Sequence, residues 1–240
     1  MALADSEIER ILVVVAHPDD VDFGAAGTIA GWTANGIDVS YCIVTYGDAG
    51  GFDPAVPRAE IPEIREAEQR AAATTVGVQD VTFLGYPDGR LEVTFDLRRD
   101  MARQIRRVRP QRVLTHSPER NWMRIAPSHP DHLRTGEATL CAVYPDARNP
   151  FAYPELLEEE GLAEWAVAEV WMTGGPRSDH YVDITDTFDK KVAALREHKS
   201  QTAHLDDLDG MLRTWNSANA LAGSLPPGRL AEAFQVLSTA

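Results

Sequence analysis

Ile11-Leu12-Val13-Val14-Val15-Ala16 runs directly into His17-Pro18-Asp19-Asp20, and the rest of the chain is read outward from these ten residues. An unbroken aliphatic run without polar alternation is the pattern of a strand covered on both faces, as in the centre of a parallel sheet. Open α/β sheets bind ligands beyond the carboxyl ends of their strands, so the polar cluster falls where a site is expected. One His and two carboxylates within four residues offer nitrogen and oxygen donors suited to zinc, with one carboxylate left over to act on a bound water. A polar turn in which Asp19 or Asp20 caps the following helix would use the same residues, and this cluster alone leaves both readings open.

Working outward, residues 25–35 are expected to form a helix stopped by Gly36, and residues 38–45 the next strand, which completes a βαβ unit. Residues 47–58 are rich in Gly, Pro and Asp and could serve as a lid, after which Pro62 opens a strong helix over residues 63–73. A short strand at 81–84, a basic helix at 96–108 closed by Pro110, and a strand at 112–116 continue the rhythm. Residues 129–143 are expected to be helical, 167–173 and 181–184 strand-like, 185–199 helical with an acidic first turn, and the remainder helical or irregular. No linker divides the chain, so the expectation is one three-layer α/β domain over residues 1–240, with a mostly parallel central sheet and a C-terminal helical elaboration.

Composition narrows the partners. A chain of 240 residues, 44% hydrophobic, can bury a substantial core. The acidic start lacks the basic and long apolar stretches of a secretory signal, and Cys42 and Cys141 sit in apolar segments, which suits buried free thiols in a reducing cytoplasm. The net charge of -14 repels nucleic acid and anionic lipid, so the expected partner is a small molecule, without membrane insertion. A homo-oligomer is compatible with the sequence.

A second cluster, Ser128-His129-Pro130-Asp131-His132, supplies imidazole and carboxylate groups far away in sequence. Two metal-type clusters on an α/β frame suggest one shared site. With Arg65-Glu66-Ala67-Glu68, Leu84-Gly85-Tyr86-Pro87-Asp88-Gly89, and Val182-Asp183-Ile184-Thr185 leading into His198-Lys199-Ser200-Gln201, the chain resembles the LmbE-like, or PIG-L, family of zinc-dependent N-deacetylases. The resemblance implies a Rossmann-like fold, in agreement with the element reading, and members of that family act on acetylglucosaminyl-inositol compounds, acetylated chitooligosaccharides, antibiotic sugars and mycothiol conjugates.

The resemblance implies a Zn²⁺ ion held by His17, Asp20 and His132, with Asp19 as general base. It implies His129 as the group that stabilises the oxyanion or protonates the departing amine, and Asp131 as the carboxylate that orients an imidazole, either His129 or a neighbour. Arg65 and Asp88 match positions that contact sugar or inositol hydroxyls. One departure is that many members follow the double aspartate with glutamate, where this chain has Val21 and then Asp22; the turn is also altered to Gly24-Ala25-Ala26-Gly27.

Simpler readings stand beside several of these. Arg65 could pair with Glu66 or Glu68 on its own helix, and Asp88-Gly89 is an ordinary turn pair. His116, at a strand end, could line the pocket but reads first as a structural histidine, His198 reads as a helix C-terminal residue explained by the dipole and capping, and Trp122 as a candidate sugar platform. The leading expectation is a hydrolase that removes an acetyl group from the nitrogen of an amino sugar or its conjugate. The alternatives are an amidase of a larger thiol or glycopeptide conjugate, and a nonenzymatic sugar- or nucleotide-binding module. The first turn argues against the last, since it lacks G-x-G-x-x-G and carries two aspartates that would repel phosphate.

Overall fold

The computed structural model describes residues 2–239. In chain order the main elements are β1 (Arg10–Val15), α1 (Asp20–Ala34), β2 (Asp38–Thr45), α2 (Ile61–Thr75), β3 (Asp80–Tyr86), α3 (Phe95–Val108), β4 (Arg112–His116), α4 (Pro130–Cys141) and α5 (Pro154–Glu158). They continue with β5 (Glu169–Thr173), β6 (His180–Asp183), α6 (Phe188–Glu197), α7 (Lys199–Thr202), α8 (Leu208–Ala222) and β7 (Ala231–Ser238).

The central run behaves as its composition requires. Alternate side chains of β1 enter opposite cores: Ile11, Val13 and Val15 meet Val21, Ala25, Ile29 and Ala72, while Leu12 and Val14 meet Leu97, Met101, Ile105 and Ala138. Each such buried aliphatic side chain contributes roughly 1.5–3 kcal/mol relative to exposure, so no polar residue is tolerated within the run. The sheet order is β3-β2-β1-β4-β5-β7-β6. Neighbours from β3 to β5 are parallel, and β7 runs antiparallel to both β5 and β6. The connections leave β1 in one direction toward β2 and β3 and later return to its other side at β4. The crevice at the carboxyl ends of β1 and β4 is therefore the topological switch point.

Three local expectations change. α1 begins at Asp20 rather than at residue 25, because the turn that carries the aspartates leads straight into the helix. The expected helix at 185–199 is interrupted at His198, which separates α6 from α7. The C-terminal stretch contains β7, inserted in the sheet between β5 and β6, where cross-strand pairing overrides the helix preference of its Ala and Glu residues.

This last strand also steadies the helix that bears the first cluster. From β7, Glu232 accepts hydrogen bonds from the amides of Gly27 and Thr28, and from α6 the ammonium of Lys191 donates to the carbonyls of Asp22 and Phe23 and to Glu232. Lys191 and Glu232 are 1% and 2% exposed, so removing either would strand a buried charge at a cost of about 3–5 kcal/mol. Cys42 and Cys141 are both free, the first buried and the second half-buried. No helix among the described residues is long and apolar enough to cross a membrane.

Candidate metal centre

Two chain segments meet at the switch point. The residues after β1 supply His17, Asp19 and Asp20, and the start of α4 supplies His129, Asp131 and His132. Gly136 explains the close approach of α4: a Cβ there would collide with the carbonyl oxygen of His116 and lie 2.9 Å from the amide nitrogen of Pro118. Without that side chain the helix lies against the end of β4, and His132, one turn earlier, reaches the residues after β1.

Three side chains converge. His17 Nδ1 is 3.3 Å from His132 Nε2 and 3.2 Å from an Asp20 carboxylate oxygen, and His132 Nε2 is 3.0 Å from the other Asp20 oxygen. Ligand atoms of a tetrahedral zinc site with bonds of about 2.0–2.1 Å stand about 3.3 Å apart, the separation of the two imidazole nitrogens, and each nitrogen has one Asp20 oxygen beside it. The remaining hydrogen bonds settle which lone pairs are available. His132 Nδ1 faces the carbonyl of Pro127 at 3.1 Å, so its proton belongs there and Nε2 is left bare. His17 Nε2 faces Asp131 at 3.2 Å and Asp88 at 3.1 Å, which places its proton on Nε2 and leaves Nδ1 bare. When each ring carries a single proton, these contacts hold it on the far nitrogen, and two imidazole lone pairs and a carboxylate face one another, a donor set that suits a divalent cation in place of the two inner protons.

Other combinations of the same side chains also come within ligand distance: His17 with His129 and His132, Asp20 with His116 and His132, and His17 with Asp88 and Asp131. Their remaining contacts disfavour them. His116 Nε2 accepts the amide N–H of Ala16 at 3.2 Å, and His129 Nδ1 accepts the amide N–H of Asp131 at 3.2 Å.

The electrostatics fit a cation cage. Burial opposes the charged form of His17, but Asp20, Asp131 and Asp88 outweigh it and push the imidazole up to about 12. His132 is likewise raised, because Asp20 overcomes the effect of burial. Burial would raise Asp20, yet the surrounding His132, His17 and His116 hold it well below the carboxylate range. Burial and then the neighbouring His132 bring His116 down to about 4, so it is neutral. His129 is lowered by burial and by His17. Since its Nδ1 is an acceptor, its proton resides on Nε2.

Asp19 stands apart from its neighbour. Its φ of 88° and ψ of -26° place a non-glycine residue in the left-handed region. Burial, only partly offset by Arg65, raises its carboxyl to about 6. Arg65 and Asp88, expected at the substrate, are enclosed at 4% and 8% exposure. Arg65 donates to the carbonyls of Pro18 and Gly47 and to Asp19 at 3.2 Å, while Asp88 accepts the amide N–H of Ala49 and faces His17. Asp131 orients His17 rather than His129, and is itself fixed by the amides of Gly89 and Leu91.

Sequence reasoning undervalued three residues. His116 lies 3.2 Å from Asp20 and stacks on His132 with ring centroids 4.1 Å apart. His198 is fully buried and 2.8 Å from Asp22, so dipole and capping effects at a helix end do not describe it. Gln69, one turn after Arg65 on the same face of α2, accepts the amide N–H of Asp19 at 2.9 Å. A polar residue four positions beyond Arg65 was the available signal for it.

Comparison with known proteins places this arrangement. The family model described as PIG-L, GlcNAc-PI de-N-acetylase, matches residues 12–143. The chain is 31% identical over 196 residues to diacetylchitobiose deacetylase of Thermococcus kodakarensis, covering 82% of this chain and 71% of that protein. It is 32% identical over 217 residues to the probable N-acetyl-alpha-D-glucosaminyl L-malate deacetylase 2 of Bacillus cereus, covering 87% and 91%. The structure superposes on N,N'-diacetylchitobiose deacetylase from Pyrococcus horikoshii with a TM-score of 0.87 at 27% identity, over 97% of this chain and 85% of that one.

Proposed function

Because the chain belongs to the PIG-L, GlcNAc-PI de-N-acetylase family, we propose that it is a zinc-dependent hydrolase that removes the acetyl group from the nitrogen of an N-acetylglucosaminyl compound. The observation that carries this reading is the convergence of His17 Nδ1, His132 Nε2 and the Asp20 carboxylate within 3.3 Å of one another, with Asp19 next in the chain.

His17, Asp20 and His132 would hold the ion, which supplies a Lewis acid for the amide carbonyl and lowers the pKa of a water to about 7. Asp19 takes the proton from the attacking water. A carboxyl raised to about 6 is still ionised at neutral pH, yet more basic than an ordinary aspartate. The Nε2–H of a neutral His129 donates to the oxygen that gains negative charge as the water oxygen bonds to the acyl carbon. Asp19 then returns its proton to the nitrogen as the C–N bond breaks, giving acetate and the free amine. Asp88 and Asp131 keep the His17 proton on Nε2. In this reading Arg65 fixes Asp19 rather than a sugar hydroxyl.

A larger substrate is favoured by one observation. Trp122, Met123 and Ile125, in the loop that joins β4 to His129, are 82%, 97% and 60% exposed, an apolar rim suited to an aglycone or a second sugar ring.

Acetate release from N,N'-diacetylchitobiose tests the proposal. Zinc-loaded protein should release acetate stoichiometric with new amine, chelator-stripped protein should not, and zinc should restore the activity. Release that is unaffected by stripping, or amine formation without acetate, would contradict it.

A further inference from the structure

Beneath Asp19 lies a group of polar side chains that the proposed chemistry does not use. Gln69, Asp22 and His198 are each 0% exposed. They form a continuous line: the Asp19 amide N–H donates to Gln69 Oε1 at 2.9 Å, Gln69 Nε2 donates to Asp22 Oδ2 at 2.9 Å, and His198 Nε2 donates to the same oxygen at 2.8 Å. The line starts from α2, crosses α1, and ends where α6 breaks.

The chemistry of each member dictates the next. A carboxylate accepts hydrogen bonds and cannot donate them, so Asp22 draws the NH₂ end of the Gln69 amide and the N–H of His198 toward itself. The Gln69 oxygen is thereby turned away from Asp22 and up to the Asp19 amide. Reversing the amide would set its NH₂ against the Asp19 N–H, donor facing donor. Asp22 thus sets the orientation of a group that it reaches only through Gln69.

What Gln69 holds is an unfavourable backbone. At φ 88° Asp19 adopts a conformation that L-residues with a side chain seldom take, and such a residue persists only where its surroundings over-determine it. Gln69 fixes its amide, and Arg65 fixes the carbonyl of Pro18 and the Asp19 carboxylate. This turn aims the Asp19 carboxylate while Asp20, one residue on, faces the two histidines.

The segment His198-Lys199-Ser200 gains a physical role from the same contacts. Ser200 binds Glu68 of α2 through its amide at 2.8 Å and its hydroxyl at 2.6 Å. That clamp seats the break between α6 and α7, where His198 has ψ 59°, against the helix that carries Gln69.

We propose that Gln69, Asp22 and His198 are positioning residues that hold the backbone of Asp19 in its left-handed turn and so aim its carboxylate. The inference rests on Asp19 being the general base. It predicts a loss in kcat that requires the Asp19 carboxylate and leaves the metal in place.

The test is steady-state hydrolysis of N,N'-diacetylchitobiose with zinc content measured on each variant. Gln69→Leu should lower kcat by about 10- to 100-fold, the scale of a misplaced reacting group, with KM and zinc content unchanged. In an Asp19→Asn background the same substitution should change kcat by less than about twofold, because the group being aimed is gone. Asp22→Leu should also lower kcat, since it removes the acceptor that turns the Gln69 NH₂ away from Asp19. The pair Gln69→Glu with Asp22→Asn exchanges donor and acceptor and keeps one negative charge, with the neutral His198 ring shifting its proton to Nδ1 so that Nε2 accepts from the asparagine; it should return kcat to within about threefold of the parent, against the loss expected of Gln69→Glu alone, which sets two carboxylates face to face. Equal losses in both backgrounds, a parallel loss of zinc, or no recovery in the exchanged pair would overturn the inference, and the exchanged pair decides the matter even if Gln69→Leu fails to fold. Full activity of Asp19→Asn alone would overturn the base assignment itself, whereas an impaired Asp19→Asn beside an unimpaired Gln69→Leu would overturn only the relay.

Discussion

The floor of the site and its rim are built on opposite principles. On the floor, His17, Asp88, Asp131, Gln69 and Asp22 are buried and their contacts orient one another's protons. At the rim, Phe52 in the loop at 47–58 is 61% exposed and touches His204, while Trp122 and Met123 stand in solvent with apolar surface uncovered. A reaction that develops charge in fixed places needs preorganised groups, and a surface that accommodates substrates need not be rigid. On the proposed function, the chemistry belongs to the floor and the choice of substrate to the rim.

The largest effect should come from the donors themselves. Asp20→Ala and His132→Ala should lose bound zinc and fall to the activity of stripped protein, as read by metal analysis beside acetate release. Ordinary zinc occupancy and turnover in either variant would break the division between floor and rim.

Next comes Asp19→Asn, which should keep zinc and lose roughly 10²- to 10⁴-fold in kcat. It should also change stability in a defined direction. A carboxyl raised from its ordinary value of 3.8 to about 6 adds most to stability when protonated, and that contribution is lost as pH rises through about 6. Metal-free Asp19→Asn should therefore melt higher than the parent at pH 7.5, with the gap narrowing toward pH 5. A gap that is constant with pH, or a lower melting temperature at pH 7.5, would show that the carboxylate is not held against its preference.

The smallest effects should separate the two regions most finely. Asp88→Asn should weaken zinc affinity by about 10- to 100-fold, the usual consequence of disturbing a carboxylate behind a metal-bound histidine. Trp122→Ala should leave zinc affinity alone and raise KM for a disaccharide more than for a monosaccharide, with kcat little changed. If Asp88→Asn altered only KM, Asp88 would belong with the rim.

The parts of the molecule differ in how legible they were from sequence. The run at residues 11–16 could be read because a strand buried on both faces leaves an unbroken aliphatic signature, and the two His-Pro-Asp clusters because many ligand types fall within a few residues. β7 escaped notice because Ala231, Glu232 and Ala233 carry no strand preference; the strand exists through pairing with β5 and β6. Arg65 and Asp88 were picked out, but spacing does not tell which way a side chain turns, and both face inward. Val21 joins the core, and the residue after it, Asp22, carries a buried carboxylate that accepts from Gln69. Gln69 and His198 are ordinary helix residues in sequence, and only the folded arrangement aligns them with Asp22.

The most direct test of the central claim is a crystal of the zinc-loaded protein measured at the zinc absorption edge. We expect one strong anomalous peak within bonding distance of His17 Nδ1, His132 Nε2 and an oxygen of Asp20, with Asp19 outside the coordination shell. A peak bonded instead to His116 or His129, or bound zinc with no peak between His17, Asp20 and His132, would contradict it.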